Sequence, residues 1–297
     1  GGRLMRAELI DPSFGTKKAA SEGVGIRDVE TGEILSHFAK DSYFHSAFVD
    51  EDKVYVTGVS MDSPDTIRIY ESSDLKNWTS RDLFTNPGWA YCNTQITKGP
   101  DGYVIILEAY KPEEYVGEQY THFFAKSPDL VNWTHLDPTR FSLTTERYNG
   151  GPWIRYSEGY YYAIAVELLP CRVFSNSLLR SKDLENWEDS KVVFEIPQDF
   201  WAYKDVWAGE VHKYKGKYYL FVSLLGKHGL RGTQIAVSDK PDGQFIPLVD
   251  RAVTPLDQSC IDGTLFVCDG KPFIFYSHDW PDNYFEENDE YVGEIWC

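Results

Sequence analysis

An all-β fold, and within that class a five-bladed β-propeller, is what the sequence predicts from three observations. Aromatic residues make up 15% of the chain, Tyr alone numbers 20, and Gly and Pro are scattered rather than clustered, a composition suited to many short strands and turns. A motif, Ser-x-Asp-Leu-x-x-Trp, recurs as Ser72 to Trp78, Ser127 to Trp133 and Ser181 to Trp187, with a degenerate copy from Ser238 to Phe245. Its period of about 55 residues is the size of a four-stranded blade. Between the motifs lie hairpin signatures, each an apolar strand, a Gly or Asp turn and a second strand rich in Tyr, Phe, Leu and Val.

In chain order, residues 1–22 read as a surface arm, and Gly23 to Leu35 as strand, turn and strand. Five hairpins follow: His45 to Ser60, Asn93 to Tyr110, Gly151 to Glu167, Glu210 to Leu224 and Asp262 to His278. Each supplies the inner and central strands of a blade, and the stretch after it supplies a third strand and an outer strand ending near the Trp motif. The fifth unit reaches Cys297 before an outer strand of its own. Pairing of the N-terminal strand with the Ile295 region is expected to close the ring and remove its exposed edges. Residues 23–297 are therefore expected to be one domain. In the repeat itself Asp caps a turn and Trp packs between blades, so the motif specifies architecture more than chemistry.

Composition limits the partners. With 42% hydrophobic residues the chain has ample material for a core, and no apolar run approaches the length of a membrane span. The formal charge of −17 disfavours nucleic acid, whose recognition rests on Lys and Arg, and equally disfavours anionic membrane surfaces. A neutral ligand such as an oligosaccharide is compatible with it. Cys92, Cys171, Cys260, Cys268 and Cys297 are odd in number and lack framework spacing, which reads as free thiols in a reducing, cytoplasmic setting. The Gly-Gly start before Met5 leaves room for a removed leader, in which case secretion is expected instead.

Propeller geometry turns the sequence into a list of site residues, because the head of each inner strand and the tail of each central strand face one central funnel. The heads contribute His45, Asn93, Asn149, Asp205, Trp207, Glu210 and Asp262; the tails contribute Glu108, Tyr110, Glu167, His278 and Asp279; loops add Arg147, Trp153, Arg172, Trp201, His228, Arg231 and Trp280. Carboxylates and imidazoles among aromatic platforms suit carbohydrate, whose rings stack and whose hydroxyls take hydrogen bonds. Two carboxyl groups about 6.5–9.5 Å apart suit inverting glycoside hydrolysis. Asp262, at a strand start and followed by Gly263, is the sharpest candidate, against the plain reading of an Asp capping its own turn. Glu210 either faces the channel or bonds a neighbouring blade. Glu108 and Glu167 lie in apolar strands, where a carboxyl either has a raised pKa, as a general acid needs, or pairs with Arg147 or Arg172. His45 and His278 are proton carriers, metal ligands or satisfied core histidines. No His/Cys group has zinc spacing, and no phosphate-cradling loop or nucleophile elbow is present.

Trp207-Ala-Gly-Glu-Val-His-Lys-Tyr-Lys-Gly-Lys-Tyr-Tyr-Leu-Phe, Arg231 to Phe245, Thr254-Pro, Ile261-Asp-Gly-Thr-Leu-Phe-Val and Ser277-His-Asp-Trp280 resemble consecutive blades of glycoside hydrolase family 43. Tyr148-Asn-Gly-Gly-Pro-Trp-Ile resembles the wider set of such propellers. The resemblance implies a five-bladed propeller that cleaves arabinofuranosides or xylosides, usually with inversion. It implies that Asp262 holds the place of the carboxylate that orients the general acid and adjusts its pKa. His278 resembles the histidine that helps hold a central calcium or sodium ion through water; no cofactor is otherwise required. Other family positions depart. The base, an Asp directly before Pro, is replaced by His45-Ser46, and the acid, a Glu two before Pro, is missing ahead of Pro152, which Gly150-Gly151 precede. The expectation is a glycosidase in which Asp262 and Glu210 are central and Glu167 is the candidate acid, with a non-catalytic sugar-binding propeller as its alternative. Around those three, His45, Asn93, Glu108, Asn149, Trp153, Asp205, Trp207, Arg231, His278, Asp279 and Trp280 are expected to contact the sugar.

Overall fold

A computed structural model describes residues 5–10, 23–28, 30–117, 120–143, 148–168, 174–188, 191–268, 270–279, 284–285, 290–291 and 294–297. The chain divides into two compact units, Gly1–Tyr162 with Ser181–Trp187, and Ala163–Arg180 with Glu188–Cys297.

The first unit opens with a three-stranded antiparallel sheet of β1 (Met5–Ile10), β2 (Gly23–Asp28) and β3 (Ile34–Phe38), in that order. β1 lies inside the segment expected as an arm, and its backbone pairs with β2 from Met5↔Asp28 to Ile10↔Gly23. Two meanders follow. One is β4 (Ser42–Asp50), β5 (Lys53–Ser60), β6 (Thr66–Ser72) and β7 (Thr79–Thr85). The other is β8 (Ala90–Gly99), β9 (Gly102–Lys111), β10 (Thr121–Ser127) and β11 (Thr134–His135), with a single helical turn, α1 (Glu113–Val116), between β9 and β10. Period-2 alternation places Val59, Ile67 and Ile69 of the first meander against Tyr91, Ile105, Leu107 and Phe123 of the second in one buried cluster. The N-terminal sheet packs Val24, Ile26 and Phe38 on Val56, Tyr70 and Trp78, with Phe38 stacked on Trp78 at 3.7 Å.

The third meander, β12 (Asn149–Ser157), β13 (Tyr160–Leu168), β14 (Phe174–Ser181) and β15 (Lys191–Phe194), contains the division between the units. The second unit continues with β16 (Ala202–Tyr214), β17 (Lys217–Gly226), β18 (Arg231–Ser238) and β19 (Ile246–Pro247). Then come β20 (Cys260–Cys268) and β21 (Lys271–His278), the short pair β22 (Tyr284–Phe285) and β23 (Glu290–Tyr291), and β24 (Glu294–Trp296), which joins β21. These successive antiparallel meanders give the chain the all-β, propeller-type arrangement expected. Among the described residues, four sheets have four strands and the C-terminal one has three; β2 pairs with β1 and β3, and β24 with β21. The expected pairing of the N-terminal strand with the Ile295 region is not among these pairs.

Inner strands break register near their starts, and this break positions the site. The shift falls at Tyr43/Ser46 in β4, Tyr91/Thr94 in β8, Trp207/Glu210 in β16 and Ile261/Thr264 in β20. Each is a bulge that bends the strand and leaves its extra residues outside the ladder. The first bulged residue has left-handed backbone at Phe44, Ala208 and Asp262 (φ 57°, 46° and 54°), and Gly151 in β12 shares that geometry at 64°. A polar side chain of the preceding sheet meets the bulge: Thr57 Oγ1 lies 2.9 Å from Thr94 Oγ1, Glu108 accepts the Gly151 N–H at 3.4 Å, and Ser223 accepts the Asp262 N–H at 2.8 Å. The approach is close enough to demand glycine. A Cβ on Gly209 would lie 2.5 Å from Asn176 Oδ1, and one on Gly263 would lie 2.4 Å from Thr233 Cγ2.

The Trp motif folds by its own local bonds. In Ser127-Pro-Asp-Leu-Val-Asn-Trp133, Asp129 accepts the N–H groups of Val131 and Asn132 and the Asn132 amide, while Ser127 Oγ accepts the Asp129 N–H. Leu130 takes left-handed backbone (φ 64°), and Trp133 donates Nε1–H to its carbonyl. Asp74 and Asp183 repeat the arrangement. In the degenerate copy Phe245, fully buried, replaces Trp and donates its N–H to Val193. Backbone and side-chain donors of Asn132 and the backbone N–H of Val131 hold the Asp129 carboxyl down to about 2, below its ordinary 3.8. A depressed carboxyl contributes stability that is present above its unfolded pKa and lost as pH falls through the folded one. Asp129→Ala is therefore expected to lower the thermal midpoint by a few degrees at pH 7, with the gap from wild type narrowing as pH falls from 3.8 toward about 2. Equal midpoints at pH 7 would show that the motif contributes nothing to stability.

Candidate functional site

The second unit brings together several of the side chains expected from the sequence. Glu210 and His212 stand two apart on β16 and therefore on one face of the strand. Glu210 Oε2 accepts hydrogen bonds from His212 Nε2 at 3.0 Å and from Thr264 Oγ1 of β20 at 2.7 Å, and the histidine nitrogen lies 3.2 Å from that hydroxyl. Thr264 is two residues beyond Asp262, across the bulge that Ser223 secures. One hydrogen-bonded patch thus connects the two carboxylates' strands.

Asp262 is a carboxylate at the left-handed bulge position where β4, β12 and the third register shift of β16 place Phe44, Gly151 and Ala208. Asp tolerates this backbone better than most residues, yet it still carries a cost that glycine avoids. The residue as a whole is exposed, next to the buried Gly263. Desolvation, then the charges of Glu210 and Asp279, raise its carboxyl from 3.8 to about 6. Asp262 therefore exchanges its proton near neutrality, which an acid catalyst requires.

Beside this group sits a cation. Arg231, the first residue of β18, donates from Nη2 to Asp205 at 3.2 Å, places Nη1 3.6 Å from Asp279, and lies over the exposed Trp207 ring at 4.2 Å. Asp205 belongs to the irregular start of β16, with φ 58°, so the bulges of this strand aim both the acid and the indole. Ser259 fastens the other side: its Oγ accepts the Arg231 N–H at 3.1 Å, and its carbonyl accepts the Asp279 N–H at 2.8 Å. Glu167 of β13 is fully buried and accepts the Ser177 hydroxyl at 2.9 Å. His278 is buried on β21 opposite Cys260.

In the first unit, Asn93 donates to Glu108 at 2.5 Å, and Glu108 also receives the Gly151 N–H. Burial raises the Glu108 carboxyl, partly offset by the Asn93 bond. Glu108 is thus tied into the bulge of β12. Asn149 is fully buried, and among the described residues neither of its amide atoms has a hydrogen-bond partner. Trp153 is half-buried in β12. His45 lies 2.9 Å from Ser42 Oγ, which in turn lies 2.8 Å from the Tyr70 hydroxyl. Burial depresses His45 to about 4, so it is neutral at pH 7. Trp280, Arg147 and Arg172 lie outside the described residues. Cys92, Cys260, Cys268 and Cys297 are free thiols; Cys171 is outside the described residues. Among the described residues no three His, Cys, Asp or Glu side chains gather to hold a metal directly. A directly ligated ion does not fit them.

Three contributors escaped the sequence reading: His212, Thr264 and Ser223. The first two could have been found by stepping two residues along a strand from Glu210 and Asp262. Ser223 could not, because its role depends on how one sheet seats the next.

With this geometry described, similarity to known proteins gains meaning. Residues 152–294 match the model of Glycosyl hydrolases family 43, and over that stretch the chain is family 43-like. The Xylosidase/arabinosidase 43A of Humicola insolens is 34% identical over 94 residues, covering 31% of this chain and 28% of that protein. The matches span less than a third of the curated relatives' length. A thermostable family-43 glycoside hydrolase aligns over 86% of this chain and 88% of its own, with TM-score 0.60 at 15% identity. The GH32 beta-fructofuranosidase of Bombyx mori aligns over 86% and 59%, with TM-score 0.61 at 16% identity. Both structures speak for the fold alone. The family-specific likeness lies in the stretch that includes Asp262 and Glu210.

Because folding raises the Asp262 carboxyl, the folded protein binds more protons there than the unfolded chain between pH 3.8 and about 6. This contribution to stability is fully present below pH 3.8 and is lost as pH rises through about 6. Asp262→Gly removes both the charge and the left-handed cost of roughly 1–2 kcal/mol, partly offset by glycine's greater unfolded freedom. Its thermal midpoint at pH 7 is expected to equal or exceed that of wild type, with a smaller fall between pH 4 and 7. A clearly lower midpoint would make Asp262 a stabilising turn residue.

Proposed function

We propose that this chain carries a glycosidase site for arabinofuranoside- or xyloside-type glycans, centred on Asp262 and Glu210. The observation that carries the reading is the left-handed, proton-retaining Asp262 facing the charges of Glu210 and Asp279, beside an exposed indole suited to a sugar face. The family 43-like match over the same stretch supports it. Asp262 delivers its proton to the leaving glycosidic oxygen, while Glu210 accepts a proton from the water that attacks the anomeric carbon, giving inversion. Glu167, enclosed with Ser177, is the third carboxyl of the proposal. The architecture that accompanies it is a five-bladed ring, with β20, β21 and β24 in the fifth blade and the N-terminal segment completing the circle. The bulge and hairpin of β20 and β21 repeat those of earlier blades, which supports the fifth. A central ion held by His278 through water belongs to the same proposal.

One observation favours a non-catalytic sugar binder instead: the position of the family's base holds His45, neutral and bonded to Ser42. Aryl arabinofuranosides, aryl xylosides and short arabino- and xylo-oligosaccharides separate the two readings. Wild type is expected to turn over at least one of them, with the rate falling as pH rises through about 6 as Asp262 loses its proton. Asp262→Asn and Glu210→Gln are each expected to lower kcat at least about 100-fold while remaining folded. Sugar binding by calorimetry without turnover of any substrate would replace the enzyme with the binder.

A further inference from the structure

Arg231 holds more of this site together than a substrate contact requires. Its guanidinium bridges Asp205 and Asp279, which come from the start of β16 and from the residue after β21, and it covers one face of Trp207. Its own backbone and that of Asp279 both bond Ser259. Four contacts thus fix one cation among elements that are far apart in sequence. A planar fork suits this double bridge and the stack on indole, whereas an ammonium satisfies only the charge.

The groups that face Asp262 explain why that placement matters. Glu210 of β16, with its partner His212, and Asp279 just beyond β21 act on it by charge, and the neutral Ser223 of β17 meets its backbone; Arg231 of β18 joins Asp279 to Asp205 of β16. Of the acids, Glu210 and Asp279 push on Asp262. Glu210 answers to the His212 and Thr264 bonds, and Asp279 to Arg231. We infer that Arg231 is a positioning residue: by bracing Asp279 against Asp205 and Trp207, it limits the negative charge that Asp262 faces and holds the indole platform in place. This role deepens the proposed glycosidase site and rests on that reading for its link to catalysis, although the charge coupling itself does not need turnover.

The test reads the Asp262 carboxyl directly by carbon NMR titration of the full chain, in wild type, Arg231→Met and Arg231→Lys, with resonances assigned through Asp262→Asn. Arg231→Met removes the positive charge placed on Asp279, and the Asp262 titration midpoint is expected to move up by at least about half a pH unit. Arg231→Lys keeps the charge and is expected to leave the midpoint near wild type. In the double variant Arg231→Met with Asp279→Asn the upward shift is expected to vanish. An unchanged Asp262 midpoint in a folded Arg231→Met, or an equal shift in Arg231→Lys, would overturn the inference, since loss of packing alone moves both variants alike. If wild type turns over substrate, Arg231→Lys is expected to raise KM at least fivefold with kcat nearly kept, because the fork that steadies Trp207 is lost. Failure of the glycosidase reading would leave the NMR shifts in place, so the two failures are distinguishable.

Discussion

The hydrogen bond from the Asp262 amide to Ser223 Oγ is the contact on which the proposed site depends. A bulge leaves N–H groups outside the ladder, and a buried donor without an acceptor costs about 1–3 kcal/mol. Here the preceding sheet supplies the acceptor, and Glu108 does the same for Gly151 in the third meander. Inner strands therefore enter their sheets bent, at a place fixed by their neighbour. Glycine at 209 and 263 lets the neighbour come close enough for this seating.

From that constraint the chemistry follows. The bend at β20 brings Thr264 to Glu210 and leaves Asp262 facing the charges of Glu210 and Asp279, so that carboxylates from different sheets share one neighbourhood. Desolvation by the surrounding protein makes this carboxyl keep its proton longer, and the neighbouring charges add to the effect. Arg231 limits the opposing charge without cancelling it. In the proposed mechanism it is environment, rather than residue type, that separates the acid from the base.

Much of the fold could be read from the sequence because its signals are local. Ser127, Asp129, Leu130 and Asn132 build their turn within a few residues, so the motif predicts its own geometry. The hairpins likewise follow from alternation and turn residues. Asp262 stood out for the same reason, through the Gly263 beside it. By contrast, left-handed Phe44 has no glycine beside it, and the Gly209 that follows Ala208 does not by itself announce the three register shifts of β16. β16 therefore starts at Ala202, eight residues ahead of the expected head. For His45 the sequence left proton carrier, metal ligand and satisfied core histidine open, because its state is set by burial and by Ser42, which only the folded chain reveals. The joining of Arg231 to Asp205 and Asp279 is likewise a product of tertiary structure.

The most direct measurement of the central claim is a crystal structure of the Glu210→Gln protein with a bound arabino- or xylo-oligosaccharide. The account predicts a sugar ring against Trp207, with the scissile oxygen within hydrogen-bonding distance of Asp262 and the anomeric carbon on the side of residue 210. An oligosaccharide seated where neither Asp262 nor residue 210 touches it would contradict the account.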